Sequence, residues 1–435
     1  MAIMRRNRAF CPDRPIGWRR SALSLGQAVR ALCVAAMVVA VGAAALGGKP
    51  ARAQTEATVN MDPAAFRAFV ESLWPEARGR GVSRATFDAA LGKITLDASL
   101  ARTTARQAEF VRPVWDYVNS AVTTQRVERG RALAREFAPL LQQIERRWGA
   151  DPYVVLAIWG IETSYGANTG DKNVFRSLAS LTYKGIRADF FRNELLTALQ
   201  IVQQGHASPA AMTGSWAGAM GHTQFMPSSF MKFAVDHTGD GRKDIWDSIP
   251  DALASTANYL TRHGWKAGMT WGYEVILPER FDVSPHDPQT MRAFPAWAKL
   301  GVRRADGEPL PTGGEAGLLL PAGVRGPAFL VTENYRVVRS YNMSSAYMLA
   351  VALLSERIAG AGPLTGRWPS DKPLSAAQAR EIQTTLQRMG FPVGEIDGRI
   401  GEQVQNAIRA YQRKNGLVAD GYANHALLER MRATR

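Results

Sequence analysis

Apolar residues recur every three or four positions along most of the chain, a spacing that predicts amphipathic helices. In residues 54–150 the pattern is clear near the start and again in a long run from Arg131 to Trp148. The first repeat consists of Phe66, Phe69, Val70 and Leu73. We therefore predict a helical scaffold for this region.

The next region, residues 151–359, is also mainly helical in pattern, but glycine-rich loops interrupt it. Residues 266–335 are rich in Gly and Pro and contain short β-prone runs at Tyr273–Leu277 and Phe329–Thr332. An apolar helix is predicted over Ser344–Ile358. The expected fold class is mainly α with a small β excursion.

The C-terminal part has the composition of a linker followed by a small domain. Residues 360–373 contain three Gly and three Pro, which indicates a flexible linker. In residues 374–433, Asp397-Gly398 and Asp420-Gly421 stand 23 positions apart, and each pair leads into a helix-like segment. A compact, three-helix module is predicted.

The first 53 residues differ from the rest of the chain. Basic residues precede an apolar stretch from Ala31 to Leu46, and Ala51-Arg52-Ala53 offers a small-x-small cleavage site. The alternative is a membrane anchor, but a spanning helix needs roughly 20 apolar residues. We predict that residues 1–53 are a cleaved export signal and that no stable membrane anchor remains.

Cleavage changes both charge and cysteine content. Residues 1–53 hold nine Lys/Arg and one Asp, so their removal lowers the formal net charge from +15 to +7. Both cysteines, Cys11 and Cys33, lie in the removed segment, which excludes disulfides and thiol catalysis in the exported chain. The remaining basic surface suits nucleic acid, anionic lipid or an anionic polymer, and charge alone does not choose among them.

One acid stands out in the helix predicted to begin at Asp151-Pro152, where Asp caps and Pro takes the first helical position. Residues 154–161 are apolar on every face, which predicts a buried helix. Glu162 is the only acid or base in the helix body and precedes a predicted stop at Gly166. Burial and the negative end of the helix dipole favour a raised pKa, which suits a general acid.

Glu162 also has a structural interpretation, as a carboxylate paired with Arg176 or Arg187. Three other acids, Asp171, Asp189 and Glu194, could supply a second catalytic carboxylate. They occur in polar stretches, where we expect them to be solvated. We therefore expect Glu162 to act without them.

Several segments carry a family resemblance: Ile158-Trp159-Gly160-Ile161-Glu162-Thr163-Ser164-Tyr165-Gly166, Gly214-Ser215-Trp216-Ala217-Gly218-Ala219-Met220-Gly221, Gln224-Phe225-Met226-Pro227-Ser228-Ser229 and Tyr341-Asn342-Met343-Ser344. From about residue 62 to 358 the chain resembles the membrane-bound lytic murein transglycosylase B family. The resemblance implies a lysozyme-like α+β core in residues 151–359, within the mainly α fold.

The resemblance implies Glu162 as the sole catalytic acid and base. The implied reaction cleaves the β-1,4 bond between N-acetylmuramic acid and N-acetylglucosamine and closes a 1,6-anhydro ring, with no required metal or organic cofactor. The residues that would line the glycan cleft are Ser215, Met220, Gln224, Phe225, Tyr259, Tyr347, Tyr341, Tyr117 and Arg187. Hydrolysis by water and an inactive wall-binding scaffold are the alternatives.

A stretch from Asp236 to Asp247 resembles an EF-hand calcium loop with Gly at its sixth position. Thr238, Lys243 and Asp247 depart from the usual pattern, so weak binding of a structural calcium ion and a plain glycine turn are both compatible with it. The predicted ligands are Asp236, Thr238, Asp240, Arg242 and Asp247.

Residues 374–432 resemble the peptidoglycan-binding type 1 domain, with Glu402 and Val404 in place of the commoner Pro and Thr. The alternative for this module is docking to another protein. The resemblance implies peptidoglycan glycan strands as the partner. Since an exported chain meets the wall before nucleic acid, we predict a periplasmic location and no nucleic-acid partner, with other cell-wall enzymes as open candidates.

Overall fold

The computed structural model describes residues 62–100 and 113–433. The predicted signal peptide, residues 1–53, lies outside them. Among the described residues, no helix combines the length and the apolar character that crossing a membrane requires.

The N-terminal region forms the predicted helical scaffold. The expected run from Arg131 to Trp148 is divided at Phe137, and Pro139 lies in the first turn of the second helix, where its missing N–H is not needed. The described helices here are α1 (Pro63–Ser72), α2 (Trp74–Gly79), α3 (Arg84–Leu91), α4 (Val114–Ala121), α5 (Thr124–Glu136) and α6 (Ala138–Trp148).

The helix predicted from Asp151 is confirmed, since the Asp151 side chain accepts from the backbone N–H groups of Tyr153 and Val154. Residues 154–160 are all buried, as their apolar character predicts. In the loops that follow, Lys172–Asn173 and Thr213–Gly214 pair as a two-stranded antiparallel ribbon. The elements are α7 (Pro152–Thr163), β1 (Lys172–Asn173), α8 (Val174–Tyr183), α9 (Ala188–Gln203), β2 (Thr213–Gly214), α10 (Pro227–Phe233) and α11 (Ile249–Arg262).

The predicted β excursion is a five-stranded antiparallel sheet, whose strands lie in the order Arg292–Ala293, Glu315–Leu319, Ala328–Val331, Gly272–Ile276 and Arg303–Arg304. It has its own small core, which includes Phe294, Trp297 and Leu330. Both β-prone runs therefore form strands within a residue of their predicted limits. The elements are β3 (Gly272–Ile276), β4 (Arg292–Ala293), α12 (Phe294–Lys299), β5 (Arg303–Arg304), β6 (Glu315–Leu319) and β7 (Ala328–Val331).

Two helices, α13 (Glu333–Val338) and α14 (Ser345–Ala359), return the chain to the main core. Ser344 caps α14 by accepting from the backbone N–H of Tyr347, so the predicted helix is confirmed. Helix α14 packs against α7, α4 and α5. It therefore brings residues 345–359 to the helix that carries Glu162.

The C-terminal module consists of α15 (Ala376–Arg388), α16 (Glu402–Lys414) and α17 (His425–Ala433), as predicted. Each Asp-Gly turn is held by a helix glutamine in the same way. Gln383 donates to Asp397 and accepts from Gly398 N, and Gln412 donates to Asp420 and accepts from Gly421 N. The two turns thus use one buried amide each to satisfy their polar groups.

The linker, residues 360–373, contacts the rest of the structure, although its composition predicts a free and flexible segment. The Glu274 carboxylate accepts from the backbone N–H groups of Thr365 (3.0 Å) and Gly366 (2.7 Å), and Trp368 packs against the main core. Beyond it, Glu402 forms an ion pair of 2.6 Å with Arg339, at the end of α13. The small module is therefore docked, and one of its departures from the family pattern makes a docking contact.

Candidate active site

Glu162 lies at the C-terminal end of α7, next to the last helical residue, and its side chain is half-buried. Helix α7 ends at Thr163, before the stop predicted at Gly166. Three consecutive residues with positive φ follow: Ser164 (51°), Tyr165 (60°) and Gly166 (84°). Two adjacent non-glycine residues in the left-handed region store strain, a feature that clusters at functional sites.

Tyr347 is the partner that the structure places on Glu162. Its hydroxyl donates a hydrogen bond of 2.6 Å to Glu162 Oε1, and only 2% of the side chain is exposed. Burial, and then the negative charge of Glu162, hold the pKa of Tyr347 well above its usual value. The hydroxyl therefore keeps its proton and acts as a donor. The expected solitary, buried carboxylate is instead a half-buried, tyrosine-paired one.

Two more of the tyrosines predicted to line the glycan cleft lie close to the pair formed by Glu162 and Tyr347. Tyr341 is buried and donates to the Thr223 carbonyl (2.6 Å), and its pKa is raised by burial and next by the charge of Glu162. Tyr117, half-buried on α4, contributes to the raised pKa of Tyr347. The structure thus brings Tyr347 and Tyr341 close to the glutamate, and Tyr117 close to Tyr347.

The loop between β2 and α10 carries four of the other predicted cleft residues. Ser215 Oγ accepts from the backbone N–H groups of Ala217 (3.3 Å) and Ala219 (3.1 Å). Gln224 has a positive φ of 51°, and its side-chain amide donates to the carbonyls of Thr169 and Gly221. Both side chains are half-buried, and both first serve to shape the loop.

Met220 and Phe225 are placed differently from the prediction that they line the cleft. Met220 is 0% exposed and bridges the backbones of Gly214 and Phe225 as an antiparallel pair. Phe225 is buried against the rings of Tyr259 and Tyr341. Both side chains therefore belong to the main hydrophobic core.

Tyr259 belongs to the same buried cluster. Its hydroxyl donates to the Ser340 carbonyl (2.5 Å), and its ring lies 4.9 Å from that of Tyr341. It stacks on His263 at a centroid distance of 4.1 Å. The hydroxyl group of Tyr259 thus ties α11 to the segment before α14, and that of Tyr341 ties the same segment to the loop between β2 and α10.

The two arginines considered as ion-pair partners of Glu162 make other contacts. Arg176 donates to the carbonyls of Thr95 (3.0 Å) and Leu96 (3.5 Å). Arg187 has a positive φ of 44°, and its guanidinium lies 4.3 Å from the centre of the Phe190 ring. Neither of these contacts involves the glutamate.

The other acids are structural or exposed. Asp171 and Asp189 are exposed, as expected. Glu194 is 1% exposed, so the prediction that it is solvated is wrong. Its two oxygens accept from Ser228 N (2.8 Å) and Ser228 Oγ (2.7 Å), which caps the start of α10. Burial raises the pKa of Glu194, although the bonds from Ser228 oppose this.

His222 is a residue that the sequence analysis missed. Its Nδ1 accepts from Trp159 Nε1 at 2.9 Å, and its backbone carbonyl accepts from Thr163 Oγ1 at 2.9 Å. Burial lowers the pKa of His222. A buried tryptophan needs an acceptor for its indole N–H, and that requirement was the available signal.

The acidic loop before α11 brings together a partly different set of carboxylates. Oxygen atoms of Asp236, Asp240 and Asp251 all lie within 4.8 Å of one another. Asp247, the predicted twelfth-position ligand, is exposed and outside this group, which Asp251 joins from helix α11. The reason is that Asp251 points back into the loop, where it accepts from three backbone N–H groups.

The rest of the loop is also internally bonded. Asp236 accepts from the N–H groups of Gly239 and Gly241 and from Thr238 Oγ1, while the guanidinium of Arg242 pairs with Asp244. Three convergent carboxylates supply the oxygen ligands that calcium prefers. The donor set fits a hard cation, with Asp251 and not Asp247 among the convergent carboxylates.

The fold thus combines a mainly helical region, which carries the Glu162–Tyr347 pair, with a separate helical module at its C-terminus. The family model of the transglycosylase SLT domain matches residues 65–356, and that of a peptidoglycan binding domain matches residues 375–431. The chain belongs to the transglycosylase SLT domain family.

Individual relatives agree with this assignment. Membrane-bound lytic murein transglycosylase B of Escherichia coli K12 is 32% identical over 250 residues, which are 56% of this chain and 66% of that protein. The chain thus matches slightly less than two thirds of this curated relative. SltB3 of Pseudomonas aeruginosa, crystallised with NAG-anhNAM-pentapeptide and with NAG-NAM-pentapeptide, is 45% identical, with a TM-score of 0.80 over 84% of this chain and 99% of that chain.

A third relative bears on the acidic loop. Lytic transglycosylase Slt35 of Escherichia coli, crystallised in complex with calcium, is 27% identical, with a TM-score of 0.57 over 68% of this chain and 92% of that chain. These relatives are lytic transglycosylases, which cleave peptidoglycan glycan strands, and this chain is a member of that enzyme family.

Proposed function

We propose that this chain is a lytic transglycosylase that cleaves the β-1,4 bond between N-acetylmuramic acid and N-acetylglucosamine and leaves a 1,6-anhydromuramic end, in cell-wall turnover. The observation that carries the proposal is the pair formed by Glu162 and Tyr347 at the end of α7. The binding of an anhydro-sugar peptide by SltB3 supports the same reaction class.

In the first step, Glu162 transfers its proton to the glycosidic oxygen while the bond between that oxygen and C1 of the muramyl sugar breaks. The N-acetylglucosamine leaves with a new hydroxyl group. The acetamido group of the muramyl sugar would shield the cationic C1. Glu162 is then a carboxylate, and the hydrogen bond from Tyr347 favours this ionised form.

In the second step, the C6 hydroxyl oxygen of the muramyl sugar bonds to C1, and its proton returns to Glu162. The glutamate is thereby ready for another cycle, so one carboxyl group serves as acid and then as base. Glu194, an alternative second carboxylate, is committed to capping α10. This supports ring closure over hydrolysis through a second carboxylate.

We infer that the aromatic and polar residues around the pair hold the glycan. Ser215, Gln224 and Tyr117 are half-buried and supply polar groups next to apolar surface, as sugar recognition requires. Met220, Phe225, Tyr259 and Tyr341 are buried, and we infer that they support this part of the structure. A glycan contact by Arg187 is proposed from the family resemblance alone. In the structure, its guanidinium packs on the ring of Phe190.

The C-terminal module is inferred to bind peptidoglycan and so keep the catalytic region on its polymer. We also infer export, with residues 1–53 as a cleaved signal, and a periplasmic location. The basic start, the short apolar stretch and the Ala51-Arg52-Ala53 site support this.

A structural calcium ion in the acidic loop is a further proposal, supported by the convergence of Asp236, Asp240 and Asp251 and by the calcium complex of the relative Slt35. The ion would stabilise the loop before α11. The chemistry at Glu162 does not require it.

The experiment is mass spectrometry of muropeptides released from purified sacculi by residues 54–435, by a Glu162→Gln variant and by an Asp171→Asn variant as the control at an exposed acid. We expect anhydro products, lighter by the mass of one water, from the wild type and the control, and none from Glu162→Gln. Full-mass reducing ends would indicate a hydrolase instead. Wall binding with no release by any of the proteins would leave the scaffold alternative.

A further inference from the structure

We propose that His222 is a positioning residue for this reaction: it fastens the strained end of helix α7, which carries Glu162, to the loop that carries Gln224. The proposal rests on the proposed function, because it assigns His222 a task in placing the catalytic acid. It is not a direct role in the chemistry, since the side chain contacts Trp159 and Gly166 rather than the reacting position.

The end of α7 needs support from outside the helix. Ser164 and Tyr165 both have left-handed backbone conformations, which are strained for non-glycine residues. Such a turn persists only where surrounding contacts determine it. The position of Glu162, two residues before this turn, depends on those contacts.

His222 makes contacts with both sides of the turn. On the helix side, its Nδ1 accepts from Trp159 Nε1, one turn before Glu162, and its carbonyl accepts from Thr163 Oγ1, the residue after Glu162. Thr163 Oγ1 in turn accepts from Gly166 N at 3.0 Å. Trp159 and Thr163, which lie on either side of Glu162 in the sequence, therefore both bond to His222.

The imidazole ring also fits against Gly166. A Cβ atom at Gly166 would lie 2.3 Å from Cε1 of His222, and the glycine has a φ of 84°. Any side chain at this position would displace the ring. The glycine therefore serves two needs, a left-handed conformation and close approach of the histidine.

His222 is itself held by the segment between α10 and α11. Its backbone N–H donates to the Ile245 carbonyl at 2.8 Å. Two residues later, Gln224 donates to the Thr169 carbonyl, in the segment that follows the strained turn. The loop and the helix end are therefore joined at two points, and a shift of one would move Glu162 relative to Gln224.

The hydrogen bond to Trp159 defines the chemical form of the ring. An indole N–H can only donate, so Nδ1 of His222 carries no proton and the imidazole is the neutral Nε2–H tautomer. An asparagine side chain can present its amide oxygen at a similar distance from the backbone as Nδ1. A phenylalanine keeps a ring but leaves the indole N–H without its acceptor. These two substitutions separate the hydrogen bond from the packing.

The experiment compares His222→Phe and His222→Asn in residues 54–435, with soluble uncross-linked glycan strands as substrate. We expect His222→Phe to lower kcat by roughly tenfold or more with KM within about twofold, because a displaced acid weakens the transition state and not substrate binding. His222→Asn should recover kcat to within about threefold of the wild type. The Trp159 indole N–H resonance should shift in His222→Phe and return towards its wild-type position in His222→Asn.

The control is His206→Asn, a half-buried histidine whose ring bonds to Lys243 N and not to α7. It should leave kcat and the Trp159 resonance unchanged. Wild-type kcat in His222→Phe, or equal losses in Phe and Asn variants with a restored Trp159 resonance, would overturn the proposal. If His222→Phe does not fold, Trp159→Phe removes the same bond from the other side and should show the same fall in kcat. Anhydro products from the wild type keep the proposed function intact whichever of these results is found.

Discussion

The Tyr347 hydroxyl donates to the Glu162 carboxylate at 2.6 Å, across 185 residues of sequence. This bond connects α14 with α7, the two helices at the centre of the main core. The tyrosine cannot accept a proton from Glu162 at ordinary pH, and burial together with the nearby charge prevents it from losing its own. It is therefore a fixed donor directed at the oxygen that changes charge during the proposed reaction.

Replacing Tyr347 by Phe should lower kcat by roughly 10- to 100-fold, because a hydrogen bond to a charged group contributes about 1.5–3 kcal/mol. The loss should fall on kcat, since the bond matters most when Glu162 is ionised. Turnover of soluble glycan strands measures it. Tyr153→Phe, at an exposed tyrosine of the same helix, is the control and should be neutral. Unchanged turnover in Tyr347→Phe would remove the tyrosine from the mechanism.

Glu194 should tolerate Gln but not Ala. A glutamine can accept from Ser228 N and donate to Ser228 Oγ, so it keeps the cap of α10. Alanine leaves a cavity and a buried N–H without a partner, and should lower the free energy of unfolding by about 2–4 kcal/mol. Denaturant unfolding at pH 7 distinguishes the two. Equal losses in both variants would show that the charge itself is required.

Glu356, on α14, should make stability fall as pH rises. Burial, and then the nearby charge of Glu274, raise its pKa from 4.5 to about 7. A group whose pKa is raised on folding stabilises fully below its unfolded pKa, and this contribution is lost as pH rises through the folded pKa. Between pH 4.5 and 7 the loss amounts to about 3 kcal/mol.

The Glu356→Gln variant should therefore be more stable than the wild type at pH 8 and similar to it at pH 4.5. Thermal unfolding across this range measures the difference. Glu279→Gln, at an exposed position, is the control and should follow the wild type. Parallel curves for wild type and Glu356→Gln would contradict the prediction.

Calcium should stabilise the protein through Asp240 and not through Asp247. At a calcium concentration ten times the dissociation constant, one site adds about 1.4 kcal/mol to the free energy of unfolding. A chelator should remove this gain in the wild type and in Asp247→Asn, whereas Asp240→Asn should show no gain. Melting temperatures with and without millimolar calcium test this. No response in the wild type would favour the plain glycine turn.

Local features were predicted well because they depend on neighbouring residues. The cap of Asp151 on α7, the apolar character of that helix and the β-prone runs of the excursion all appear within a residue or two of their predicted limits. The two Asp-Gly turns of the C-terminal module are of the same kind. Turn chemistry, caps and side-chain periodicity act over a few residues, so the sequence displays them directly.

Burial of particular residues was predicted less well. Met220 was expected at the cleft surface and Glu194 in solvent, yet both are buried. The sequence around Met220 does not show whether its side chain points into the core or towards solvent. Glu194 is expected to be exposed because it is charged. Its burial is explained only by the Ser228 N–H and hydroxyl groups that donate to its oxygens. Which face of a loop or helix is covered depends on elements distant in the chain, and these are not visible locally.

By itself, the sequence determined the helix that carries Glu162, the β excursion, the small C-terminal module and, through its motifs, the family. The tertiary structure alone decided the partners: Tyr347 on Glu162, His222 on Trp159, Asp251 in the acidic loop and Arg339 on Glu402. Each of these contacts joins elements separated in the chain. Their existence depends on how the whole core packs, because a hydrogen bond or ion pair forms only where packing brings both groups within about 3 Å.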